Sequence, residues 1–147
     1  MATRVDFYVL ESADDRTRLV CACRVIEKAF LQQLRVCVNL ATPAEAESFD
    51  QLLWTFADRA FVPHALSHDG QGPAGPPPGT PVWIGVQAPI EADLLVNLAP
   101  AAPEFFEKYG RVADFVDAEP ARRDAGRRRF GYYRDRGSKP ETHNLAG

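Results

Sequence analysis

Cysteine is scarce in this 147-residue chain, long apolar runs are missing, and glycine is absent from the places where a phosphate would need it. Each lack closes a class of function. Cys21, Cys23 and Cys37 are odd in number, form no Cys-x-x-Cys pair and stand at no zinc-like spacing from a histidine, so neither a disulfide framework nor a structural zinc site is expected. On a helix at about 100° per residue, positions 21 and 23 point about 200° apart. They cannot share a ligand, and buried, reduced thiols are the expectation. No run approaches the ~20 apolar residues that cross a bilayer. The opening Arg4-Val5-Asp6-Phe7-Tyr8-Val9-Leu10 reads as a strand, without the length of a signal-peptide core or a small-residue cleavage site. The cytoplasm is the expected location.

Catalytic constellations are equally thin. The loop after the first strand, Glu11-Ser12-Ala13-Asp14-Asp15, is acidic and lacks glycine, so it would repel a pyrophosphate. Gly70 and Gly75 have Walker A spacing, but Pro76 and Pro77 stand where Lys and Ser or Thr must reach phosphate and magnesium. No Ser or Cys lies in a nucleophile-elbow sequence. His64, His68 and Asp69 share a flexible loop and His143 is isolated near the C-terminal end, so no metal geometry is fixed. Glu91 and Asp93 read as surface carboxylates flanking a strand. Neither an enzyme nor a cofactor or metal site is expected.

What is present is ordinary globular composition, 46% apolar and 25% charged, enough for one domain with a hydrophobic core. The expected organisation is a single domain over 1–137 with a loosely ordered tail over 138–147. Short Val-, Ile- and Leu-rich runs, Val5 to Leu10, Arg35 to Leu40, Val82 to Val86, Asp93 to Leu98 and Arg111 to Val116, alternate with helical stretches. That pattern predicts a single-domain, three-layer α/β fold with a mainly parallel sheet, nucleotide-binding-like but lacking a phosphate loop. Leu19, Cys23, Ile26, Phe30 and Leu34 form the inner stripe of one helix. Thr42-Pro43-Ala44-Glu45 is a capping-box start for a second, with Ala46, Phe49, Leu53 and Phe56 facing inward. Trp54 flanks that stripe and is read as packing rather than recognition. From about Asp58 to Pro81 a long loop is expected, too rich in Gly and Pro after Gly70 for regular structure. Its apolar start, Phe61, Val62 and Leu66, must either tuck under the domain or meet a partner.

The charge distribution is the sharpest signal. Residues 122–136 hold seven arginines and two aspartates, a net +5, while the rest of the chain carries −8 and the total is −3. A helix starting near Pro120 would line Arg123, Arg127, Phe130 and Arg134 along one stripe. Asp124, Arg128 and Asp135 fall on the solvated side, and Ala125, Tyr132 and Tyr133 on a third. Guanidinium forks beside an aromatic ring suit an anionic ligand with an apolar anchor; a solvated amphipathic helix is the alternative.

Several of these stretches together resemble the chi subunit family of bacterial DNA polymerase III: Val5 to Leu10, Leu52-Leu53-Trp54, Phe61-Val62-Pro63-His64-Ala65-Leu66, Pro81-Val82-Trp83-Ile84-Gly85, Asp93 to Leu98, and Arg127-Arg128-Arg129-Phe130-Gly131-Tyr132-Tyr133-Arg134. The resemblance spans nearly the whole chain. It implies a non-enzymatic adaptor of the clamp-loader complex that pairs with the psi subunit and binds the acidic C-terminal tail of single-stranded-DNA-binding protein. By position, Arg123, Arg127 and Phe130 match the residues used for the tail, Val116 lines the same pocket, and Arg134, or else Arg128, is the expected further cation. Phe61, with Val62 and Pro63, matches the psi face. The chain departs from some relatives in having Phe130 and Gly131 where they have Tyr and Lys. Direct single-strand nucleic-acid binding by the Arg/aromatic helix is the alternative function. An acidic body lying within a Debye length of about 8–10 Å opposes it.

Overall fold

The structure, a computed structural model, describes residues 3–57, 62–66, 80–87 and 89–145. In chain order the elements are β1 (Arg4–Leu10), α1 (Asp15–Leu31), β2 (Val36–Asn39), α2 (Pro43–Thr55), β3 (His64–Leu66), β4 (Val82–Gly85), β5 (Leu94–Asn97), β6 (Arg111–Val116), α3 (Pro120–Asp135) and β7 (Glu141–Leu145), with a 3-10 turn at Phe106–Lys108. The strands form one seven-stranded sheet in the order β3-β4-β2-β5-β6-β1-β7, and every pairing is parallel.

Successive strand residues face opposite sides, so an almost continuous apolar run feeds two cores at once. Val36, Val38, Ile84, Val96 and Phe115 pack with Ala22, Cys23 and Ile26 of α1 and Phe49 and Leu53 of α2. Val5, Phe7, Cys37, Leu95, Val112 and Val116 pack on the other side with Phe106, Tyr109 and Tyr133 of α3. Three layers result, as the sequence predicts.

The helix starts are chemically legible. Thr42 accepts from the Glu45 amide at 3.2 Å, with Pro43 in the first turn. Asp14 caps α1 through the Arg16 amide. α1 ends before Leu34 because Gln33 takes a positive φ of 64°; Leu34 is half-buried beyond it.

Three expectations are corrected. Residues 141–145 are not a loose tail: they form β7, paired with β1 from Asp6↔Glu141 to Leu10↔Leu145. This strand carries too few apolar residues to announce itself, and its order comes from the ladder with β1. Within the expected loop, β3 pairs with β4; three residues are too few to show a period. Trp54 is 40% exposed, although its ring lies 4.1 Å from that of His64. Cys23 and Cys37 are buried, and among the described residues no cysteine is in a disulfide. The Gly- and Pro-rich stretch over 67–79 lies outside the described residues, and with it His68, Asp69, Gly70 and Gly75.

Candidate functional site

The arginine-rich segment divides into arginines that build the fold and arginines that face solvent. Arg129 is only 5% exposed. Its Nε and Nη2 donate to Asp114 of β6 at 3.0 and 2.9 Å, and Nη1 donates to the Pro100 carbonyl at 2.9 Å. Tyr133 donates its hydroxyl to the same carboxylate at 2.9 Å. Burial opposes the Arg129 charge, but Asp114 outweighs it and holds the guanidinium above its ordinary pKa. Burial, then Asp114, pushes the Tyr133 phenol well up. Arg122 makes a two-pronged pair with Asp117 at 2.9 Å from both Nε and Nη2, and Arg136 lies 3.6 Å over the Tyr132 ring. The Arg129–Asp114 and Arg122–Asp117 pairs tie α3 to β6 and the turn after it, and so fix the rotation of the helix about its axis.

That rotation decides what the helix presents. Ala125, Gly126, Arg129 and Tyr133 face the sheet, and Gly126 lets the helix sink close: a Cβ there would stand 2.6 Å from Val116 Cγ2. Beside this contact runs an open groove of ≈ 390 Å³ lined by Phe7, Val9, Val116, Arg123, Gly126, Arg127, Phe130 and Thr142. Phe130 is half-buried, its ring 5.4 Å from that of Phe7, so one side packs and the rest forms apolar floor. Arg123 and Arg127 are exposed on the same rim; Arg127 meets Asp124 at 3.2 Å, but both are largely in water.

Thus four of the five residues expected for an acidic peptide, Arg123, Arg127, Phe130 and Val116, line one groove. Arg134 does not line it: it is exposed and meets Asp135 at 3.6 Å, with Nη2 3.8 Å from where a Gly131 Cβ would lie. Arg134 has therefore turned toward the bare backbone of Gly131 rather than into the groove. Sequence reasoning missed four lining residues, Phe7, Val9, Gly126 and Thr142; Thr142 was out of its reach because it belongs to the unforeseen β7. The inward role of Arg129 was missed as well, although a signal for it exists: it stands four residues from both Ala125 and Tyr133, and Asp114 in an apolar strand needs a partner.

The expected psi face is only partly open. Val62 is 0% exposed in the core, which withdraws it from any surface; an apolar side chain next to the sheet gains most by burial there. Pro63 lines a hollow of ≈ 820 Å³ with Phe30, Leu31 and Pro81, and Leu31 is 71% exposed. Phe61 lies outside the described residues.

A different crevice of ≈ 550 Å³ sits at the carboxyl ends of the strands, where α/β folds hold phosphates. Arg18, Arg122 and Arg129 line it, together with Asp15 and Glu45. Each arginine is already engaged, by Asp15, Asp117 and Asp114. Its chemistry does not favour an anion. His64 has its ring nitrogens at 2.6 Å from the Val62 carbonyl and 3.1 Å from Asp50. His143 is not isolated: with Asp6 and Glu141 it makes a grouping within ligand reach. Arg4 and Arg111 already contact Asp6 at 3.3 and 2.9 Å, so guanidinium charge fills the place a cation would take.

Comparison with known proteins places the chain in a family. Residues 2–141 match the family described as DNA polymerase III chi subunit, HolC. The chain is 41% identical to the DNA polymerase III subunit chi of Pseudomonas aeruginosa over 97% of each chain. It is 29% identical to the Haemophilus influenzae protein of the same name over 99% of each. For that of Escherichia coli the figure is 28%, over 82% of this chain and 80% of the relative.

Proposed function

The protein belongs to the DNA polymerase III chi subunit family, with an accessory role in DNA replication, and from that premise we propose that it is a non-catalytic adaptor of the clamp-loader complex. In this reading it binds the acidic C-terminal tail of single-stranded-DNA-binding protein and pairs with the psi subunit. Nucleic acid is engaged only through those partners.

The observation that carries the tail reading is the groove itself, with Arg123 and Arg127 on one rim and Phe130 and Val116 beneath. An acidic peptide ending in an apolar residue would set carboxylates against the guanidinium forks and its last side chain on the floor. Exposed ion pairs contribute about 0–1 kcal/mol each, so the apolar anchor supplies much of the affinity. For psi, the support is the hollow that joins Pro63 to exposed Leu31. Among the described residues no helix is long and apolar enough to cross a membrane.

The test is a titration of a labelled acidic tail peptide against the wild type and an Arg127→Ala, Phe130→Ala double variant. Loss of binding in the double variant is expected. Equal affinity for the two proteins would refute the tail reading.

A further inference from the structure

The groove has a second wall that the arginine helix does not supply. β7 brings Thr142 to it, and the family match stops at residue 141, where β7 begins. This strand has little apolar content to hold it: Glu141, Thr142 and Asn144 are exposed, and only His143 and Leu145 are half-buried. Besides its backbone ladder with β1, the side chain that anchors it is His143. Its ring stacks on Tyr8 at 5.2 Å, and its Nε2 lies 2.9 Å from Oδ1 of Asp6, a fully buried carboxylate whose other oxygen accepts from Arg111 Nε at 2.9 Å. Neighbouring strand residues point to opposite faces. Fixing His143 on the α1 side therefore fixes Thr142 on the α3 side, where it is the cross-strand partner of Phe7.

We propose that β7 is a working wall of the peptide groove, in which Thr142 is a further binding residue and His143 is the positioning residue that holds it there through Asp6. The ligand is the acidic peptide of the preceding section, so the inference rests on that reading. Arg123 and Arg127 approach such a peptide from α3 alone. Thr142 gives it a hydroxyl from the opposite side, able to donate to a main-chain or carboxylate oxygen and to accept from a peptide amide.

The experiment is fluorescence anisotropy on the full chain with a labelled acidic peptide that ends in an apolar residue. Thr142→Val keeps shape and strand propensity while removing the hydroxyl; it is expected to weaken binding about three- to tenfold, the equivalent of one lost hydrogen bond, with unchanged melting. His143→Ala is expected to weaken binding to a similar degree and to speed amide exchange over 141–145. His143→Gln, which retains a donor toward Asp6, is expected to restore both. Wild-type affinity in Thr142→Val overturns the binding role. Faster exchange in His143→Ala without loss of affinity overturns the positioning role. In either case, loss of the peptide by the Arg127→Ala, Phe130→Ala variant shows that the groove reading stands while the wall is inert. Should that double variant also bind like the wild type, the groove reading fails and the wall fails with it.

Discussion

Arg127 and Arg129 are two residues apart and have opposite fates. Arg129 is buried against Asp114, so Arg129→Met would strand a carboxylate in the interior. We expect a loss of about 3–5 kcal/mol in urea unfolding, whereas Arg127→Ala, in solvent, should stay within about 0.5 kcal/mol of wild type. The difference was readable in the spacing of Ala125, Arg129 and Tyr133; reading only the charge of the segment hides it. Asp6 makes a second prediction. Burial raises its pKa, but hydrogen bonds from His143 and Arg111 and the charges of Arg111 and Arg4 outweigh that and leave it below the ordinary value of 3.8. A depressed carboxylate stabilises the fold fully above its unfolded pKa and progressively less as pH falls through the folded one. Acid unfolding below about pH 4 should therefore show an Asp6-dependent limb. In Asp6→Asn that limb should be missing from a pH series of melting temperatures, above a lower plateau at neutral pH. At Cys23, burial pushes the thiol up to about 12, and alkylation at pH 8 should wait for unfolding.

Helix α3 is an element whose sequence looks poorly suited to being a helix. Gly126 and Gly131 each weaken a helix by about 1 kcal/mol relative to Ala, and the Gly126 position shows what is gained. A methyl there would stand 2.6 Å from Val116 Cγ2, so Gly126→Ala should add helix propensity and still destabilise, by the ~1–3 kcal/mol typical of overpacking. It should also narrow the groove and reduce peptide affinity, both measurable on one preparation by urea titration and anisotropy. At α2 the cap seen at Thr42 makes Thr42→Ala cost about 1 kcal/mol. The inner strands were legible as short continuous apolar runs and the three helices by their spacing and caps. The three-residue β3 and the polar β7 were not, since neither carries an apolar pattern of its own and each is ordered by its pairing, with β4 and β1, and β7 also by the contact of His143 with Asp6. The candidate site inherits the same division: its α3 rim was readable, and its β7 wall was not.

At the scale of the whole molecule, a +5 segment over 122–136 sits on a body of −8, which favours a short anionic ligand confined to the groove over a long one that must also pass the body. Screening shortens from about 10 Å at 0.1 M salt to about 3 Å at 1 M. Peptide affinity should fall over that range yet retain a residue of apolar binding, and Phe130→Ala should remove more of it than Arg127→Ala does. The sheet order has a further consequence, for synthesis. β1 is among the first segments made, yet it lies between β6 and β7, pairing Arg4 with Arg111 and Asp6 with Glu141. At the ~5–20 residues per second of translation, Val5, Phe7 and Leu10 wait roughly 5 to 20 seconds for their first neighbour. A nascent chain arrested before β6 would keep the edges of that strand unpaired on the ribosome, open to aggregation or to capture by a holdase.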